Sequence, residues 1–350
     1  MPIKYWNGSA STDWNTSANW TASGKPSSSD VVIFDGRTTR DVAQNPDQTG
    51  VDLASMHIMS SYTGDIFDNN EGGAGVGPLI IEINGTLQIS GTGSYYIMCG
   101  NDAANSDILK TIIDTTGTVG LSSQKNSETA NLKSVFTDVV IIRGTVYFYG
   151  LADEDDTGFA AESGTNGGCI FTNLEIAPLS GRDSSVNVTI GNECDDKAAG
   201  SAYGSIVMSG GTLNCHTGLT ALTQSGGTTT FGTASYDVGT TGSPEDDIIT
   251  LSMYGGTFNW QPSYVAGGVR LSAAKSPSIT TCHLYSGTLN ATGMLETYET
   301  SGIAPTIVTL HQYSGSVIDM RNTYGNILVT TFNKHGGIAY TDPQQTLAVT

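Results

Sequence analysis

Three acidic runs, five histidines and five cysteines are the side chains of this chain whose types suit chemistry. The runs are Asp153 to Asp156, then Glu193 with Asp195 and Asp196, then Glu245 with Asp246 and Asp247. Calcium needs six to eight oxygens. No run follows the order of an EF-hand loop, and the "GGxGxD" calcium repeat is absent, so solvated turns are expected instead of a metal site. Two carboxylates about 5–9.5 Å apart could also hydrolyse a glycosidic bond. The strands that recur here carry Thr, Asn, Tyr and Ser and scarcely any acid, which leaves that chemistry little support.

Among His57, His216, His283, His311 and His335, only His283 and His311 hold the same position in adjacent copies of a repeat. They are expected to be neighbours, and with no third ligand evident a stacking contact is expected ahead of zinc. Cys99, Cys169, Cys194, Cys215 and Cys282 are odd in number, scattered and free of any CxxC pair, which reads as free thiols of a reducing compartment. Cys282 falls at an inward strand position and reads as a buried thiol. No Ser-His-Asp set, phosphate-binding glycine loop or dinucleotide fingerprint can be placed, so no catalytic residue and no cofactor is expected. Sequons such as those at Asn84 and Asn290 arise by chance in so Asn- and Thr-rich a chain.

Aromatic side chains are the remaining candidates. Tyr5, Trp6, Trp14 and Trp20 crowd into the first thirty-six residues, which hold three of the four tryptophans. They serve either as a cap on the apolar end of a stack or as an anchor that binds a partner. The cap meets the more general demand.

The elements that must position these groups are strands. "LSMYGGTFNW" from Leu251 returns as "CHLYSGTLNA" from Cys282 and "LHQYSGSVID" from Leu310, and is anticipated by "IVMSGGTLNC" from Ile206. Its marker glycines are Gly211, Gly256, Gly287 and Gly315, with weaker cousins at Gly85, Gly117, Gly144 and Gly227. Most steps are about thirty residues; one is about half that and one more than double, the mark of a stacked repeat. Period-two apolar positions flank each glycine: Leu251, Met253 and Phe258 in one copy, Cys282, Leu284 and Leu289 in the next, Leu310 and Val317 in the last. Stacking predicts a ladder of Tyr254, Tyr285 and Tyr313 and an amide ladder of Asn214, Asn259 and Asn290, which the extra copy at Gly227 would interrupt. Helix should be nearly absent. The expected architecture is all-β: one long single-stranded parallel β-helix, or β-solenoid, over residues 37–335, with an aromatic segment at 1–36 and a terminal cap at 336–350.

Only 13% of residues are charged, and 33 acidic against 14 basic residues give a net charge of −19. Phosphate binding needs a Lys/Arg patch that this chain lacks, so nucleic acid is not an expected partner, and an anionic membrane surface is disfavoured for the same reason. "MPIKYWNGSASTDW" has no apolar core of a signal peptide, and no apolar run is long enough for a membrane span. Synthesis in a host cytoplasm is therefore expected.

The opening "YWNGSASTDWNTSANW", the following "VVIFDG" and the repeated "GGTL.N" strands together resemble parallel β-solenoid proteins of the pectin-lyase-like and autotransporter-passenger kind. The aromatic opening and compact size look most like solenoid virion proteins of tailed bacteriophages. That resemblance implies a non-enzymatic virion protein that decorates or cements a capsid, bound to the major capsid protein or other virion proteins and self-associated, by preference as a trimer. The alternative is a tail spike or fibre that binds or cleaves host surface polysaccharide. The acidic pairs of enzymatic solenoids have no counterpart here.

Overall fold

In the computed structural model the protein is all-β, and among the described residues its one helical element is the three-residue 3-10 turn Ser17–Asn19. The structure describes residues 1–21, 24–68, 77–99, 108–123, 135–149, 170–181, 185–192, 203–215, 218–232, 247–260, 278–291, 306–321 and 327–341. They fall into two compact units, one of residues 1–174 and 185–194, the other of 175–184 and 195–350.

Unit 1 contains β1 (Ile3–Tyr5), β2 (Val31–Phe34), β3 (Asp47–Ile58), β4 (Leu79–Ile89), β5 (Ser94–Cys99), β6 (Ile108–Ser123), β7 (Val135–Tyr149), most of β8 (Ile170–Ile176) and β9 (Val186–Asn192). Parallel ladders join β1 to β2, β2 to β3, β3 to β4, β4 to β6, and β6 to β7. Alternation along each strand sends every second side chain inward, and the register sets like upon like. Phe34, Ile58, Ile89, Ile113 and Ile141 form one column with no exposed surface. Each such aliphatic side chain contributes roughly 1.5–3 kcal/mol when fully buried. Beside it runs Val32, Met56, Leu87, Thr111 and Val139, in which the buried Thr111 hydroxyl has no hydrogen-bond partner. The aromatic opening is tied into this unit through β1.

Unit 2 contains β10 (Tyr203–Met208), β11 (Thr212–Cys215), β12 (Leu219–Gln224), β13 (Thr228–Phe231), β14 (Ile248–Trp260), β15 (Ser278–Asn290), β16 (Thr306–Gln312), β17 (Ser316–Met320), β18 (Leu328–Lys334) and β19 (Ile338–Thr341). The half-length step of the repeat is complete in itself: β10 pairs with β12 and β11 with β13, in parallel, only sixteen residues on (Thr212 to Thr228). Longer steps therefore consist of the same two strands plus the segment that follows them. The inward column Ile206, Leu222, Leu251, Cys282 and Leu310 is buried throughout.

Between the paired strands the chain turns at the marker glycines. Gly256 has φ +76°, and a Cβ there would lie 2.5 Å from Gly227 O and 2.7 Å from Gln224 Nε2 of the preceding copy of the repeat. Both the left-handed backbone and the contact exclude a side chain.

In the last copy the structure corrects the inward assignment of Val317. Leu289 pairs with Ile318, which is buried, and Val317 faces outward opposite Thr288. One extra residue at the Tyr313–Gly315 turn, closed by Ser316 N–H to Tyr313 O, displaces the strand by one position and so exchanges its faces.

Candidate functional site

Of the four side chains read as either a cap or a partner anchor, three are interior. Trp6 and Trp14 have no exposed surface and Trp20 has 3%. Trp20 meets Trp6 edge-on at 5.0 Å and Trp14 at 4.8 Å, and all three contact Phe34. The column continues inward from Phe34 to Tyr62 and Tyr95.

Local polar groups close the loop over these rings. Trp6 Nε1 donates to Arg40 O at 2.9 Å and Trp20 Nε1 to Trp14 O at 2.8 Å. The buried Asn19 amide accepts from the Ala10 and Ser11 N–H groups and donates to Ser11 Oγ and Asp13 O, so its capacity is filled. An anchor needs an exposed ring face, and these indoles offer none. Tyr5 is half-buried, with the Arg37 guanidinium 3.5 Å above its ring.

Reactive groups are likewise spent on packing. Cys99, Cys215 and Cys282 are buried outside any disulfide, and burial pushes the Cys282 and Cys99 thiols up, away from the nucleophilic thiolate, with Glu82 adding to the effect at Cys99. Burial likewise pushes the Tyr95 phenol up to about 12, and that of Tyr62 further. His57 Nδ1 lies 3.3 Å from Gln88 Oε1. Asp247 accepts the Ser278 N–H at 2.6 Å, a contact between the starts of the paired strands β14 and β15. The rest of the acidic runs, with Cys169, Cys194 and His216, lie outside the described residues.

Unit 2 carries the exposed ring array that stacking predicts. Tyr254, Tyr285 and Tyr313 stack at 4.7 Å with planes within 11°, and His335 continues the column 5.0 Å beyond Tyr313. In the adjoining column His283 and His311 stack at 4.7 Å. Face-to-face stacking uses ring faces within the protein and leaves edges to solvent. Tyr254, 53% exposed, ends its column next to the rung of Ser225, which has no ring. The amide ladder holds between Asn259 and Asn290, 3.1 Å apart, and Thr230 separates it from Asn214 as the extra copy requires.

Two glutamines sit inward, and the partners they reach there escape sequence reasoning. Gln224 Nε2 donates to Gly227 O and to Thr257 O of the next rung, and Gln312 Nε2 donates to Ile338 O. Both are fully buried, and the Oε1 of each lacks a partner. Their shared offset, three residues before Gly227 and Gly315, is the signal that could have found them. Compared with known proteins, the chain matches no family model, no curated relative and no solved structure.

Proposed function

We propose that the protein is a structural, non-enzymatic virion component, a β-solenoid with rungs of about thirty residues that decorates or cements a capsid shell as a homo-oligomer, by preference a trimer. The stacking of like side chains on one another supports this reading most directly. Tyrosine falls on tyrosine, histidine on histidine and isoleucine on isoleucine across parallel strands far apart in sequence, a construction that gives stiffness. Among the described residues, Cys99, Cys215, Cys282, Tyr62 and Tyr95 are buried in that packing. With the tryptophans interior, attachment falls to other surfaces. Mass spectrometry of purified particles, with copies counted against the major capsid protein, tests the proposal. Hundreds of copies are expected, and absence from the shell in cryo-electron micrographs would remove it.

The open ring face of Tyr254 favours a second reading, a tail spike or fibre that holds host polysaccharide. It predicts a few tens of copies at most and binding to host glycans. Failure to bind any host polysaccharide would exclude it.

A further inference from the structure

The exposed array of unit 2 brings together three imidazoles. His283 and His311 are direct register partners with centroids 4.7 Å apart and planes within 12°. His335, in the turn after β18, lies parallel to His311 within 2° at 6.5 Å. The groups beside them are Ser252 and Tyr254 of β14, Tyr285 of β15, Tyr313 of β16 and Asn333 of β18, with Lys334 next to His335 along the chain. None of these is a carboxylate, and the exposed Lys334 adds charge of the same sign as a protonated ring. A second proton thus meets repulsion with no anion among these groups to offset it. Two unit charges so spaced in bulk water disfavour the second protonation by about fivefold, and by more where water is partly excluded.

We infer that the His283–His311–His335 seam is an acid-sensitive latch on the C-terminal rungs of unit 2. Neutral rings stack and hold β15, β16 and the turn after β18 together. Rings protonated more than once repel, and the last rung loosens first, because β18 and β19 pair on one side only among the described residues. Burial of the His283 ring, with His311 beside it, holds its pKa below the ordinary value of 6.5, and its buried Nδ1 has no acceptor to receive a proton's hydrogen bond. The unfolded chain then binds more protons than the folded one below pH 6.5. Stability is complete above that value and is lost as pH falls through it and past the lower folded value.

Amide exchange over residues 327–341, corrected for intrinsic rate, and an NMR titration of the imidazole protons test the latch in the full chain. Between pH 7.5 and 5.0 the wild type is expected to lose protection about tenfold there, while a His283→Asn, His311→Asn double variant is expected to lose little. Asparagine is the residue the column already carries at Asn333. An equal loss in the double variant would overturn the inference. So would titration of His283 in the wild type at its ordinary value, a result that does not depend on the variant folding.

Discussion

Gly287 and Gly315 occupy the same place in the repeat, yet the structure separates the cost of adding a methyl group to each. Both have left-handed backbones, φ +85° and +101°, so alanine at either costs about 1–2 kcal/mol in conformation alone. Around Gly315 nothing stands closer than 3.7 Å to the position a Cβ would take, and the cost ends there. At Gly287 that Cβ would sit 2.7 Å from Gly256 O and 2.8 Å from Gly255 C, well inside van der Waals contact. Those are backbone atoms of the neighbouring rung, held by the β14–β15 ladder, so they cannot swing aside as a side chain tip would. Overpacking of this kind adds about 1–3 kcal/mol. Gly287→Ala is therefore expected to cost about 2–5 kcal/mol against about 1–2 for Gly315→Ala. In a unit of this size each 1 kcal/mol shifts the midpoint by about 2–4 °C. Native-state exchange of β14 to β16 under rising urea measures the loss where it occurs. Equal losses in the two variants would refute the claim that close approach between rungs, and not φ alone, selects glycine.

Three further outcomes follow from burial and are measurable in the full chain. Trp14→Ala, which empties a fully buried site, should cost unit 1 about 3–5 kcal/mol and promote aggregation on heating; a variant of unchanged stability that only loses attachment would restore the anchor role. Thr111→Val should stabilise unit 1 by about 1 kcal/mol or more in urea titrations, because it removes an unpaired hydroxyl from an aliphatic column; destabilisation would mean that hydroxyl has a partner. Cys282 should react with iodoacetamide at pH 8 roughly a hundredfold more slowly in the folded protein than in urea, as followed by mass spectrometry, and equal rates would contradict its burial.

Period-two alternation and the recurrence of a glycine with fixed neighbours are local properties of the chain, and they were sufficient for strands, near-absence of helix, and the adjacency of Tyr254 to Tyr285 and of His283 to His311. Equal spacing from a shared marker places equivalent residues side by side whenever the copies pair in parallel. The interrupted amide ladder at Thr230 was legible for the same reason. Composition also marked the tryptophans as important and favoured a cap over an anchor only on general demand, since both use the same residue type; packing against Phe34 put their faces inside.

What only the tertiary structure decided depends on contacts between paired copies of the repeat. The one-residue displacement that buries Ile318 and turns Val317 outward lies in the closing of a turn, which leaves the apolar pattern of "SVID" ambiguous. The partners of the inward glutamines follow only once the carbonyls they reach, Thr257 and Ile338, are brought across from the neighbouring copy. Side-chain periodicity is written along the chain, whereas register and the partners of buried polar atoms are set by neighbours sixteen to thirty-odd residues away, such as Thr228 over Thr212 and Thr281 over Thr250.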